Sequence, residues 1–320
     1  MSTYLLRRAG TSLIILLGIT LLVFAMLHVI GGNVGRVALG IKAQPQAVAA
    51  WNKQHGFDEP FMLQFWNYLV QVVWHGNLGM SYKQSESVNT IIAQRAPISA
   101  YLSGLALIFS IGIAFPVGIY QAVKRNTVGD NLVTTAAFVT YSFPTFLLGL
   151  LLIQIFALTL HIFPVGANAA VSQNSSLWGA ISDPRAMVLP VATLTLVSVA
   201  GYSRYMRSSA LDALAQDYIK AARAKGLPER LVLWRHLVRN ASLPMVTLIG
   251  LSLPILLAGN LVTENVFNYP GLGIMFINAL QNEDYPVLLA YTLIGGVLTV
   301  VGNYIADVAL TVADPRIRLA

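Results

Sequence analysis

Long apolar runs separated by short polar stretches dominate the chain. Residues 9–30 form 22 consecutive positions without Lys, Arg, Asp or Glu. Comparable runs lie within 96–123 and 132–163, and from about 186 to 203, 241 to 263 and 287 to 306. A helix that crosses a bilayer needs about 20 mostly apolar residues. The pattern therefore predicts an all-α polytopic membrane protein with six transmembrane helices. The same runs do not suit a soluble fold, because a chain of this length cannot cover six such helices. Pro116, Pro144, Pro190, Pro244 and Pro254 interrupt the runs. Each removes a backbone donor and predicts a kink that neighbouring helices must cover, with a hinge as the alternative use.

The connections carry their own patterns. Residues 31–95 form a long first connection. In it 47–52 is helix-like, and 61–74 spaces Phe65, Trp66, Tyr68, Leu69, Val72 and Val73 as an interfacial helix or a cap on the bundle. Contact with a soluble partner is the other use of that segment. His55 and His75 lack metal-ligand spacing. After the fifth run comes TENVFNYPGLG, residues 263–273, in which Tyr269-Pro270-Gly271 is a turn signal. Glu264 beside it reads as part of a plain turn with a snorkelling carboxylate. An ionisable residue at that depth is also a functional candidate, so Asn260 and Glu264 are the two residues assigned to a substrate path. Asp307, at the far end of the last run, reads as a structural partner for a nearby Lys or Arg.

The most informative connection is 217–239, DYIKAARAKGLPERLVLWRHLVR, within a loop taken as 207–240. Ala221, Ala222 and Ala224 are strong helix formers. Asp217 at the start and Lys225 at the end both suit the helix dipole. Gly226 can take the left-handed conformation that closes a helix, and Pro228 with Glu229 suits the first turn of another. In that second helix Leu231, Trp234, Leu237 and Val238 recur at helical spacing among Arg230, Arg235 and Arg239. The result is an amphipathic two-helix elbow. It fits either anionic lipid at the membrane surface or a cytoplasmic protein that pushes on it. Eight basic and three acidic residues between 204 and 239 exclude a seventh span, since each charge near a helix centre costs roughly 2.5–3.5 kcal/mol.

Composition and charge narrow the classes. Only 10% of the 320 residues are charged, against about a quarter in soluble domains. The net charge of +7 is spread among short loops, which argues against nucleic acid as a partner. With six spans, fourteen of the twenty Lys and Arg residues fall on the side of the termini and the elbow, and six on the other. That asymmetry makes both termini and the elbow cytoplasmic. The first run lacks the short core and small-residue cleavage site of a signal peptide. There is no cysteine, hence no disulfide or thiolate chemistry. No phosphate-binding G-x-x-x-x-G-K-[ST], no H-E-x-x-H and no G-x-S-x-G is present. The expectation is a chain without catalytic residues, metal site or bound cofactor.

The elbow resembles the EAA loop in permease subunits of ABC importers. In that pattern two alanines precede a glycine four positions after the second, then hydrophobic residues and Leu-Pro. Here these are Ala221, Ala222, Gly226 and Leu243-Pro244. Lys220 stands where the family has Glu. With YIKAARAKGL at 218–227, that is similar to the dipeptide and oligopeptide branch. YLLRRAGTSL near the start, HGNLGMSY at 75–82, NYPGLG at 268–273, DYPV at 284–287 and DPRIR at 314–318 extend the resemblance over nearly the whole chain.

The resemblance implies a type I ABC importer fold and one half of a heterodimeric pore in the bacterial cytoplasmic (inner) membrane. It implies a second homologous permease, two cytoplasmic ATPase subunits that hold ATP and Mg and grip the elbow, and an extracytoplasmic substrate-binding protein. On this reading 1–320 is one permease domain: first span 9–30, extracytoplasmic segment 31–95, and a five-span core 96–320. Asp217, Lys220, Ala221, Ala222, Arg223, Gly226, Pro228 and Arg235 would couple it to the ATPases. Di- or oligopeptides are the expected cargo, with glutathione or nickel complexes as alternatives. An ion-gradient-driven transporter would want carboxylates inside the spans, and mid-span Asp or Glu is absent. An intramembrane enzyme would need convergent polar groups, whereas His28 and His161 lie in separate runs. A sensor or scaffold would bind partners without ATP-driven flux.

Overall fold

A computed structural model describes residues 2–30, 32–40, 42–167, 177–258 and 260–313, and among them there is no β-strand. The DPRIR run lies outside the described residues, as do the side chains of Arg7, Arg8 and Asp307. In chain order the helices are α1 (Ser2–Ile30), α2 (Val34–Leu39), α3 (Pro45–Gln54), α4 (Phe61–His75), α5 (Val88–Val123), α6 (Val128–Ser142) and α7 (Thr145–Leu152). The last of these runs on as a π-helix, Ile153–Thr159. There follow α8 (Leu177–Ser182), α9 (Pro184–Leu214), α10 (Asp217–Ala224), α11 (Glu229–Leu231), α12 (Leu243–Ala258), α13 (Leu261–Val266), α14 (Leu272–Gln281) and α15 (Tyr285–Ala313).

Among the described residues four helices are long and apolar enough to cross a membrane: α1, α5, α9 and α15. A fifth counts if α6 and α7 with its π-helical end form one bent span. The all-α polytopic architecture is as expected, and the count of six spans is not confirmed among the described residues. The run read as one helix within 132–163 bends by 104° between Ser142 and Thr145. Phe143 there is extended, the conformation favoured before a proline, and Pro144 caps the next helix. The fifth run yields α12, whose 16 residues reach only about 24 Å at 1.5 Å per residue. Pro116 and Pro190 sit inside continuous helices, so proline alone does not decide where a helix stops.

Two helices outrun their apolar patterns. The 36 residues of α5 span about 54 Å, well beyond a hydrocarbon core of about 30 Å. The fourth span, expected to end near 203, belongs to a helix that continues to Leu214. Arg204 ends the apolar run but not the helix; its guanidinium lies over the rings of Phe138 (4.8 Å) and Tyr141 (5.3 Å). α5 packs along α9, and α12 along α15, with α1 also against α15. Most of α1 is exposed, as suits a helix facing lipid.

Four apolar clusters fill the interior. One joins α5, α14 and the start of α15 through Val88, Ile91, Leu272, Met275 and Val287. The second lies at the far end of α5 and α9, under the elbow, around Met206, Ala210 and Met245. Between them Ile98, Leu102, Met187 and Tyr269 form the third, and Leu189, Ile153 and Phe267 anchor the π-helix in the fourth.

Two buried carboxylates tie distant parts of the chain together. Asp284, just before α15, accepts from the Ser81 hydroxyl and from the Tyr82 backbone N–H (3.1 Å). The HGNLGMSY and DYPV runs thus meet in space and clamp the 31–95 segment to the last helix. Asp130 in the first turn of α6 is 1% exposed. It takes both Arg207 donors, Nε at 3.2 Å and Nη2 at 2.9 Å, with Asn126 N–H at 3.0 Å and Thr134 Oγ1 at 3.2 Å. Gln121 of α5 donates to Thr134 in turn (2.9 Å). This network fastens α6 to α5 and α9 beside the elbow.

Candidate functional site

The elbow folds as its residues dictate. The helix Asp217–Ala224 ends on Lys225, and Gly226 follows at φ +76°. Gly226 N–H donates to Arg223 O (2.9 Å) and Leu227 N–H to Ala222 O (3.4 Å), the paired closure of a Schellman motif. A Cβ at Gly226 would meet no atom, so the demand for glycine here is conformational and not steric. Pro228 is extended, and Glu229 opens the second helix. From Val232 to Val238 that helix widens into a π-turn before Arg239–Ala241.

One face of the elbow is glued to the bundle. Ile219, Ala222, Val232, Leu237 and Ala241 are buried with Ala122, Met206, Ala210, Ala213 and Met245. Ala222 is 5% exposed. The expectation that it meets a partner is therefore corrected: its methyl group faces this chain's own α5 and α9. The helical period explains the difference, since Ala222 lies three residues after Ile219 on the inner stripe.

The opposite face is open. Asp217, Lys220, Ala221, Arg223, Pro228 and Arg235 are all exposed there, as is Gly226. Lys220 pairs with Asp217 at 2.9 Å, and Arg223 with Glu229 at 2.6 Å across the bend. These cations were expected to reach toward a partner; in the free chain Lys220 is paired within its own helix and Arg223 across the bend. Arg223 holds the Glu229 carboxyl below the usual carboxylate range, and Lys220 does the same for Asp217. A lowered carboxylate pKa adds stability above its unfolded value and loses it as pH falls through the folded one. The Arg223–Glu229 pair across the bend should therefore persist from pH 6 to 8 and weaken only in acid, with little change at the buried inner face, as hydrogen exchange of the elbow amides would report.

Sequence reasoning did not assign a role to Trp234. It is 67% exposed beside exposed Leu231 and Tyr218, which places large apolar groups among the cations. No sequence signal announced it: an α-helix would set Trp234 and Leu237, three apart, on one face, and it is the π-helical winding of Val232–Val238 that separates them.

The second assembly lies around Glu264, at the opposite end of the bundle from the elbow. Its carboxylate is fully buried, which corrects the snorkelling expectation. Ser99 Oγ donates to Oε1 at 2.6 Å and Asn260 N–H at 3.1 Å; Gly273 and Ile274 N–H reach Oε2 at 2.6 and 3.4 Å. The last two amides open α14, whose N-terminus attracts negative charge. Leu272 N–H donates to the Ser99 oxygen (2.7 Å), and Arg95 Nη1 to Pro270 O (3.0 Å). The turn expected at 269–271 is thus pinned on both sides. Gly273 has no alternative here: a Cβ would stand 2.8 Å from Leu261 Cα and 3.0 Å from the Asn260 carbonyl carbon.

Asn260 and Glu264 meet through the Asn260 N–H, which donates to Glu264 Oε1 (3.1 Å). Asn260 borders a small cavity of about 120 Å³ between α5, α9 and α12, with Ser103, Ser198, Tyr202 and Ser252. Glu264 is four residues further on and turned into the NYPGLG turn. In its wall Tyr202 and Ser252 share a hydrogen bond of 2.7 Å.

Comparison with known proteins gives a consistent set of matches. Residues 114–319 match the family described as "Binding-protein-dependent transport system inner membrane component". Residues 1–103 match its companion, "Binding-prot-dependent transport system membrane comp, N-term". The chain is 35% identical to the oligopeptide transport system permease protein AppB of Bacillus subtilis, over 99% of this chain and 100% of that one. It is 35% identical to the glutathione transport system permease protein GsiC of Salmonella typhimurium, over 99% of both. To the dipeptide transport system permease protein DppB of Escherichia coli it is 34% identical, again over 99% of both.

Proposed function

Because the chain belongs to the family of binding-protein-dependent transport system inner membrane components, we propose that it is a pore-forming subunit of an ATP-driven importer of di- or oligopeptides. It pairs with a second, homologous permease. Two cytoplasmic ATPase subunits hold the ATP and Mg, and an extracytoplasmic binding protein delivers the cargo. Both termini and the elbow face the cytoplasm. The names of the relatives support peptide cargo; the charge asymmetry supports the orientation.

The observation that carries the mechanism is the two-faced elbow. Its inner face is fused to α5, α9 and α12, while its outer face presents Tyr218, Ala221, Trp234 and Arg235. A partner that grips the outer face cannot move the elbow without moving these three helices. Interior packing is dense and transmits displacement. Closure of the ATPases then tilts the spans and changes which side the central path opens to. The partner's binding energy must favour one state over the other for this to happen. Asn260 is assigned to the path, on the small cavity between those same helices. Glu264 is assigned to holding the turn that borders it.

The test is Gly226→Val in the complete complex reconstituted in liposomes. A β-branched residue at φ +76° is strained by roughly 1–2 kcal/mol, enough to deform the elbow but not the bundle. The expected outcome is normal insertion and thermal unfolding, with peptide-stimulated ATP turnover and uptake at least tenfold lower. Uptake equal to the parent protein's would refute the coupling role. Dipeptides, longer peptides and glutathione, offered in separate assays, identify the cargo by which of them raises ATP turnover.

A further inference from the structure

Helix α4 has three sides, and one of them lies open. None of its 15 residues is Asp, Glu, Lys or Arg. At about 100° per residue, Phe61, Phe65 and Tyr68 fall on one side. All three meet α1, with Phe24 at 5.5, 5.4 and 5.8 Å from their rings. Gln64, Asn67, Gln71 and His75 make a second, polar side, turned toward the chain's own connections. There Gln64 donates to Glu59 O (2.7 Å) and Asn67 to the Glu59 carboxylate (3.1 Å). The third side, next to the one on α1, carries Met62, Leu63, Trp66, Val73 and Trp74. All five are exposed, Trp66 by 62% and Trp74 by 78%.

The neighbours of α4 fix its level. Phe24 is six residues before Ile30, the end of α1, a distance of about 9 Å along the helix. His28, nearer still to that end, lies 5.3 Å from Phe61. Beyond the other end of α4, Ser81 and Tyr82 hold Asp284, which immediately precedes α15. Both ends of α4 are therefore tied to the rim from which 31–95 emerges, and the helix lies across that rim. This is the depth at which hydrocarbon gives way to headgroups, where Trp and Tyr concentrate and amphipathic helices lie in the membrane plane. Beside it Leu22, Met26 and Val29 of α1 are open as well.

We propose that the open side of α4 is seated in bilayer lipid, at the boundary of acyl chains and headgroups, with Trp66 and Trp74 at headgroup level. The occupant is lipid and not a soluble protein for two reasons. The stripe adjoins the side that packs on α1, a helix that itself faces lipid, and it carries no charge for a protein partner to pair with. A contiguous apolar patch of this kind is also uncommon on a surface bathed in water. Seated so, α4 holds the 31–95 segment down on the membrane. The proposal rests on the membrane placement of α1 and is independent of the coupling role of the elbow.

The chain has no cysteine, so one introduced cysteine is a unique site for a spin label. The test places it by Trp66→Cys or Val73→Cys on the open side, by Gln71→Cys on the polar side and by Met26→Cys on α1 as the lipid reference. Each full-length variant is studied in phospholipid nanodiscs, after thermal unfolding has established that it is folded. Collision with oxygen relative to a water-soluble nickel chelate should be at least about threefold higher at 66 and 73 than at 71, and close to that at 26. As a second measurement, brominated acyl chains should quench the tryptophan fluorescence of the parent at least about twofold more than that of Trp66→Phe/Trp74→Phe. Labels at 66 and 73 that are open to nickel would put the stripe in water, ready for a soluble partner, and overturn the proposal. Labels closed to both reagents, or equal quenching in parent and variant, would overturn it too. Nickel access at 26 would remove the membrane placement of α1 and the proposal with it.

Discussion

Glu264→Ala should remove a large part of the chain's folding stability. The substitution leaves the Ser99 hydroxyl and the Asn260, Gly273 and Ile274 N–H groups without their acceptor, in a place that water does not reach. A buried donor left unmade costs about 1–3 kcal/mol. Even if relaxation recovers half of these, about 4 kcal/mol is lost from a typical total of about 5–15 kcal/mol. Thermal unfolding in detergent should shift down sharply, and membrane yield should fall with it. Glu264→Gln tests the reason. It keeps the shape but points an NH₂ at one set of donors, so it should fall between the parent and the alanine variant. An unchanged unfolding temperature for Glu264→Ala would mean that the carboxylate does not hold the turn. The result also bears on function, because a residue so fully engaged is not free to contact passing cargo.

The second large effect is expected at Asp130. Removing one partner of a buried ion pair typically costs 3–5 kcal/mol, since the other charge is left uncompensated. Arg207 retains some exposure, 28% of its side chain, and can partly return to solvent, so Asp130→Ala should cost about 3 kcal/mol. The double variant Asp130→Leu with Arg207→Met should be markedly more stable than Asp130→Ala alone, as replacing a buried pair by apolar groups is often neutral. A double-mutant cycle by thermal unfolding measures the coupling. Additive losses would show that the pair does not fasten α6 to α9.

What the sequence disclosed and what it hid divide along physical lines. The first span, the helix at 61–75 and the elbow with its glycine closure were legible because each rests on local signals: apolar runs, helical spacing, and residue preferences at helix ends. The inner stripe of the elbow was misread at Ala222 because an alanine suits a partner's surface and a packed core equally well. The period shared with Ile219 was the better guide. Pro144 was visible as a breaker, yet Pro116 and Pro190 carried the same signal without breaking anything. The difference is that Phe143 leaves the helical conformation, which depends on what packs around it. The Asp130–Arg207 and Glu264–Ser99 contacts join residues 77 and 165 positions apart, and no local pattern encodes such pairings. A weak trace existed for the first: Thr127 caps α6 and accepts from Asp130 N–H (3.4 Å), in the S/T-x-x-D/E arrangement that opens helices.

The clasp between Ser81, Tyr82 and Asp284 sets a timetable for biogenesis. Its two halves are 203 residues apart. At roughly 5–20 residues per second of synthesis, the first half waits on the order of 10–40 s after emerging before its partner is made. Through that interval the 31–95 segment must tolerate an unmet hydroxyl and backbone amide, while the 203 residues that follow are translated or inserted. The N-terminal third can therefore reach its final position only when the last helix arrives, and a nascent chain stalled short of residue 284 would lack the catch that secures its beginning.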